Sequence, residues 1–256
     1  MNNPWQLYDD LIKGIPEGPT VKYYQGGHKW SRVISSENSI GLALDICLTT
    51  RPCLSQDVNL IGKPICEVAK LVKSWNFVEA SIGLAAINSW YNQPKRVEQC
   101  GFVHPNFNYN FQKAFDVYYE EVKGKKVTVV GHFPFIEKRF EGQCDLSILE
   151  RNPSMGDYPD SACEYILHEQ DYVFITGSAL VNKTMPRLLE LSNNAKVVIV
   201  GPSTPLAPIL FEKGIYGLSG FASDNVEEVE SALSGGTNAS FFDAGMLIDQ
   251  INPHKR

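Results

Sequence analysis

Four short runs decide the fold: KVTVVG at 126–131, LSILE at 146–150, YVFITG at 172–177 and KVVIVG at 196–201. Each is nearly continuous in apolar and β-branched residues, the composition of a parallel strand buried on both faces. Segments of about 15–20 residues with helical potential separate them. A weaker fifth run lies at 215–218, with a helical stretch at 225–233 behind it. This alternation predicts a Rossmann-like, right-handed parallel α/β sheet.

Upstream the rhythm differs. WQLYDDLI at 5–12 sets Tyr8, Leu11 and Ile12 at helical spacing, and Gly14-Ile15-Pro16 stops it. In VKYYQGGHKWSRVI (21–34) two β-rich runs flank Gln25-Gly26-Gly27-His28. Gly-Gly supplies the positive φ that a tight hairpin turn needs. A run at 40–48 completes a three-strand meander. Helices are expected at 62–75, where Ile65, Val68, Ala69 and Val72 share a face, and at 78–91. The second carries a small-residue stripe, Ala80, Gly83, Leu84 and Ile87, that lets another backbone approach. Residues 93–110, rich in Asn, Pro and aromatics, read as a linker or a loop over a cleft, and 111–123 as helical. The organisation expected is an α+β domain over 1–105 followed by a Rossmann-like α/β domain over 106–256.

Length and composition agree with that division. The chain has 256 residues, 43% hydrophobic and 20% charged, which excludes a largely disordered chain. Residues 1–140 carry 16 basic and 13 acidic side chains, residues 141–256 carry 7 and 16, and the net charge is −6. That mild acidity gives no reason to expect nucleic acid or an anionic membrane as partner. The charge step falls inside the second domain, so it does not mark the boundary. No window is apolar for the ~18 residues of a spanning helix. The start has no cationic n-region, so no signal peptide is expected. Six cysteines, at 47, 53, 66, 100, 144 and 163, form no CxxC pair. They read as reduced, mostly packing thiols of a cytoplasmic protein.

Ligands of open parallel sheets bind beyond the C-terminal strand ends. Those ends hold Gly131-His132, Glu150, Thr176-Gly177-Ser178 with Asn182-Lys183-Thr184, and Gly201-Pro202-Ser203-Thr204. In GPSTPLAPILFEKG (201–214), Ser203 or Thr204 can cap a helix with Pro205 at its first position, and Gly214 can close it. Thr184 before Met185-Pro186 repeats the device, and two such helix starts suit an anion. The loop VVGHFPFIEK (129–138) lacks G-x-G-x-x-G, and no GxxxxGK[ST] exists, so no dinucleotide is expected. His132 can serve as general base, metal ligand or structural hydrogen-bonder. With Glu150 at the neighbouring strand end, it can bind a divalent metal or move a proton. Asp157, Asp160, Asp224 and Asp243 read as solvated loop acids.

The strings VVGHFPF (129–135), FITGSALVNKT (174–184), VVIVGPSTPLAPILFEKG (197–214) and EASIGLAAINS (79–89) resemble, across essentially the whole chain, the family named "putative heavy-metal chelatase". The resemblance implies an N-terminal domain similar to that of enolase, a Rossmann-like second domain, and a site in the cleft between them. It implies contributions from Glu79, Ser81 and Asn88 on one side. On the other it implies His132, Glu150, Thr176, Gly177, Asn182, Gly201, Ser203 and Thr204. Three readings follow. The first is metal handling or insertion into an organic chelator, with His132 and Glu150 as ligands or bases. The second is a metal-independent enzyme or sensor for a small anionic metabolite. The third is a binding module without chemistry, in which the Ala80–Ile87 stripe is a homodimer or partner surface.

Overall fold

The computed structural model describes residues 3–46, 50–51, 59–102, 111–236 and 240–253. Helix α1 (Gln6–Lys13) precedes an antiparallel sheet of β1 (Val21–Gln25), β2 (Trp30–Ser35) and β3 (Ile40–Leu44). The β1–β2 turn takes its positive φ at Gly27, +81°. Helix α2 (Ile65–Ala69) runs into a 3-10 turn, Lys70–Lys73, so the stretch at 62–75 is not one α-helix. Helix α3 (Phe77–Tyr91), capped by the Asn76 side chain, lies on β2 and β3. Its small residues admit this chain's own backbone. A Cβ on Gly83 would sit 2.0 Å from the Val72 nitrogen, and one on Gly41 2.0 Å from the Ser89 nitrogen. The stripe is therefore packed inside the fold rather than offered to a partner.

Helix α4 (Pro94–Gln99) occupies the first part of the stretch read as a linker. Pro94 at its first turn costs nothing, because that N–H has no helical partner anyway. The remainder, 103–110, falls outside the described residues. Phe111–Tyr118 is a 3-10 helix rather than an α-helix.

The larger sheet holds β4 (Lys126–Val130), β5 (Asp145–Glu150), β6 (Tyr158–Pro159), β7 (Tyr172–Thr176), β8 (Lys196–Val200), β9 (Gly217–Ala222) and β10 (Met246–Ile251). Their order is β10-β9-β8-β7-β4-β5-β6, parallel except for β10 against β9. Both faces are buried at the central strands, and side chains there alternate between two cores as a pleat requires. Val173, Ile175, Val197 and Ile199 join one core with α1 and α3; Tyr172, Phe174, Val198 and Val200 join the other with Phe115 and Tyr118. Helix α1 is tied to the large sheet by Tyr8, whose hydroxyl donates to the Leu180 carbonyl at 3.1 Å. Among the described residues no helix is long and apolar enough to cross a membrane.

Helices α5 (Ile136–Phe140), α6 (Cys163–Ile166), α7 (Met185–Leu191), α8 (Ile209–Glu212) and α9 (Val226–Leu233) connect or flank these strands. The expected helix from Pro205 does not form: α8 starts only after Pro208. Thr204 and Ala207 each precede a proline, which disfavours their helical conformation. Strand order reverses about β4: the chain builds β5 and β6 on one side, then returns to β7 on the other. The ends of β4 and β7 are the switch point at which a crevice is expected.

Candidate functional site

The outer part of the C-terminal sheet edge is a polar corner built on Gly131 and His132. Gly131 has φ +99°, and a Cβ there would meet Thr176 Cγ2 at 2.9 Å, so β4 and β7 end side by side. The next N–H, of His132, donates to Glu150 Oε2 at 2.8 Å. Glu150 Oε1 accepts from the Arg151 and Asn152 N–H groups at 2.8 and 3.3 Å. His132 and Glu150 do meet, but through His132's backbone, with Glu150 bracing the loop.

The imidazole itself has other partners. Its Nδ1 lies 2.9 Å from Asp157 Oδ2, and its Nε2 lies 3.2 Å from Glu137 Oε1 in the first turn of α5. Asp157 is not a solvated acid: its side chain is 2% exposed, and it also accepts from the Ser154 N–H at 2.8 Å. Glu137 is 54% exposed. His132, Glu137 and Asp157 can each offer a ligand atom, all within 4.8 Å of one another. The Asp157 hydrogen bond holds the imidazole pKa above its ordinary value against the opposing effect of burial, with Glu137 and Glu150 adding to the rise.

The inner part of the edge is spent on packing. A Cβ on Gly177 would sit 2.6 Å from the Ser203 carbonyl carbon and the Thr204 nitrogen, so the β7 and β8 loops are in backbone contact. Ser203 Oγ accepts from the Leu44 N–H of β3 at 2.8 Å. Asn92, just past α3, donates to the Thr204 and Phe221 carbonyls at 2.9 and 3.0 Å and accepts from the Leu206 N–H at 2.8 Å. Gly201 has φ +108° and its N–H donates to the Ser219 carbonyl, while Pro202 is buried beside it. Thr176 and Ser178 hydroxyls bond each other at 3.0 Å. Asn182 Oδ1 accepts from the Thr184 N–H and hydroxyl, so Thr184 does not cap α7 with its side chain. The two capped helix starts expected for an anion are therefore absent.

Glu79, Ser81 and Asn88 line α3 and bond locally. Glu79 accepts from the Ser74 hydroxyl at 2.6 Å; Ser81 shares Asp45 with Ser31; Asn88 donates to the Leu42 carbonyl at 2.7 Å. Sequence reasoning missed Glu137 and Asn92, placed Lys183 beyond a strand end without a role, and misjudged Asp157. An acid five residues after a strand-end histidine, in the first turn of the next helix, was the one local signal for Glu137.

A family model described as "Putative heavy-metal chelation" matches residues 113–249, and a second of the same description matches 8–91. An uncharacterized protein of Methanocaldococcus jannaschii is 35% identical over 185 residues, 70% of this chain. The match spans 66% of that relative, just under two thirds of its length. A crystal structure of a protein with unknown function from the DUF364 family of Desulfitobacterium hafniense is 44% identical, with TM-score 0.87 over 98% of this chain and 99% of that one. A DUF364 protein of Pyrococcus horikoshii, also of unknown function, shares the fold at 19% identity, with TM-score 0.77 over 97% and 99% of the two chains.

Proposed function

The chain belongs to the DUF364 family, described as "Putative heavy-metal chelation", and on that premise we propose that it binds a divalent metal ion at the His132–Glu137–Asp157 corner. The observation that carries this is the convergence of His132, Glu137 and Asp157, whose possible ligand atoms lie within 4.8 Å of one another beyond β4, beside the topological switch point. Metal-binding histidines commonly have their second ring nitrogen held by a carboxylate, which fixes the tautomer and the ring plane. Asp157, nearly inaccessible, is placed to hold Nδ1 in that way, leaving Nε2 and the exposed Glu137 to face the ion.

The donor set narrows the metal. One imidazole and carboxylate oxygens suit Zn²⁺, Ni²⁺, Co²⁺, Fe²⁺ or Mn²⁺, whereas soft ions select thiolates. Among the described residues no cysteine joins the cluster. The ion would supply Lewis acidity, or be the cargo itself; once the ion has left Nε2, the neutral His132 imidazole would accept a proton from an organic chelator. Insertion into such a chelator extends the same reading.

Isothermal titration of the metal-stripped protein with Zn²⁺, Ni²⁺ and Co²⁺ tests it. Wild type should bind one ion per chain, and His132→Ala should weaken binding by about tenfold or more. Absence of binding by wild type to all of these, with Fe²⁺ and Mn²⁺ included, would refute it. A second reading is favoured by the hydrogen bond from His132 Nδ1 to a 2%-exposed carboxylate. Such an Asp–His pair serves as a metal-free general base. In that case no ion binds, and activity on any substrate found persists in EDTA.

A further inference from the structure

We propose that Lys183 is a nucleophilic amine that captures a small carbonyl compound as a Schiff base, on a shelf formed by Trp75 and Phe77. This goes beyond the metal reading and does not depend on it. Lys183 follows β7, on the C-terminal side of the sheet where ligands of this fold class bind. Only two non-glycine residues among those described have positive φ, Asn38 and Lys183 at +55° and +67°. Asparagine tolerates that conformation; a lysine held there is unusual, and such strain gathers at functional positions.

The amine is partly desolvated and, among the described residues, has no carboxylate partner; its polar and aromatic neighbours are a backbone carbonyl and two rings, which suit an ammonium as well. Its Nζ donates to the Val181 carbonyl at 2.7 Å and lies 5.5 Å from the Phe77 ring centroid and 5.9 Å from that of Trp75. Phe77 is buried and Trp75 is 53% exposed, so the shelf runs from interior to solvent. No carboxylate among the described residues lies within ion-pair distance. On the flanking segments the charged groups are committed elsewhere: Glu79 to Ser74, Lys73 to Asp9, Arg187 to Glu164 and Glu190. Burial alone pushes the Lys183 ammonium down to about 7. A desolvated lysine of this kind is the usual starting point of Schiff-base chemistry.

The step balances without an oxidant or reductant. The nitrogen lone pair attacks the carbonyl carbon and a C–N bond forms. The two amine protons leave with the carbonyl oxygen as water, and a C=N bond remains. The aromatic shelf favours an aldehyde or ketone with a flat, apolar body.

The test uses the native full chain, dialysed against EDTA so that the metal corner plays no part. Benzaldehyde and cyanoborohydride are added between pH 6 and pH 10, and reduced adducts are mapped by peptide mass spectrometry. Lys183 should carry the dominant adduct at pH 7, about tenfold above exposed Lys95, with its rate levelling above pH 7. Ordinary lysine amines gain reactivity up to about pH 10.4. Lys183→Arg should remove the selective adduct with the melting temperature kept within a few degrees. Trp75→Ala should shift the Lys183 profile to higher pH by restoring solvent. Lys183 unmodified, or labelled no faster than Lys95 at pH 7, overturns the proposal whatever the variants do.

Discussion

The two halves of the sheet's C-terminal edge treat charge in opposite ways. At the outer half, beyond β4 and β5, Asp157, Glu137 and Glu150 surround His132 and raise its affinity for a proton. At the inner half, beyond β7 and β8, burial against α3 lowers that affinity at Lys183. The inner loops are also pinned to the N-terminal layer through Leu44 and Asn92, and to each other at Gly177. One topological rule marks all of these strand ends as ligand sites. The difference teaches that a second layer docked on half of the edge buries its polar groups and takes some of them, such as the Ser203 hydroxyl and the Thr204 carbonyl, as fasteners.

The sharpest way to break that contrast is to unfasten the inner half. Asn92 is 2% exposed and satisfies three backbone groups at once. Each buried group left unpaired costs about 1–3 kcal/mol, so Asn92→Ala should lower stability in urea unfolding by about 3 kcal/mol or more. A loss below about 1 kcal/mol would show that the layers are not held there. Gly177→Ala ranks next. Its methyl would press on the Ser203–Thr204 backbone, which cannot rotate away as a side chain would. Overpacking of this kind costs about 1–3 kcal/mol. The midpoint shift should appear without any change in metal binding at the outer half.

The parallel sheet was legible because its signal is local: continuous β-branched runs need no tertiary knowledge. Strand β10 (Met246–Ile251) escaped because it pairs antiparallel at the edge and Gly217 and Gly220 dilute its neighbour β9. Strand β6 is only two residues long. The site was half legible. His132 stood out at a strand end, but its partner Asp157 comes from a loop 25 residues on, and only the β5–β6 crossover brings them together. Ser203 and Thr204 stand out in the sequence for their hydroxyls, yet Pro205 and Pro208 keep that segment out of a helix, and the N-terminal layer takes up the Ser203 hydroxyl and the Thr204 carbonyl. Lys183 shows in the sequence only by its place beyond a strand end, since its environment comes from Trp75 and Phe77, roughly a hundred residues away.

The outer half can be tested by removing the charge behind the imidazole. Asp157→Asn keeps the shape and the Ser154 contact but weakens the hold on Nδ1. Affinity for the tightest of the tested metals should fall about tenfold, or 1.4 kcal/mol, with little change in the unfolding midpoint at neutral pH. An unchanged affinity would mean that Asp157 takes no part in binding, and that the outer half is merely an ion-paired surface.

The smallest effect expected belongs to Lys183, and its pH dependence identifies the cause. In the unfolded chain the amine stays protonated up to its ordinary value of 10.5; in the fold it releases the proton near 7. Between those limits the unfolded state binds more protons, so this residue's contribution to stability rises with pH. Below pH 7 both states are protonated, and the fold bears the full cost of a desolvated ammonium. Lys183→Met removes the charge but keeps an unbranched side chain on the Trp75–Phe77 shelf. Relative to wild type, the variant should therefore be favoured at pH 6–7 and should lose that advantage towards pH 10. The gap should change by roughly 1 kcal/mol, because part of the ammonium still touches water. Unfolding curves at pH 6, 8 and 10 measure it. A gap that stays flat with pH would show that the amine is solvated like any surface lysine, and the two halves of the edge would then no longer differ in how they treat charge.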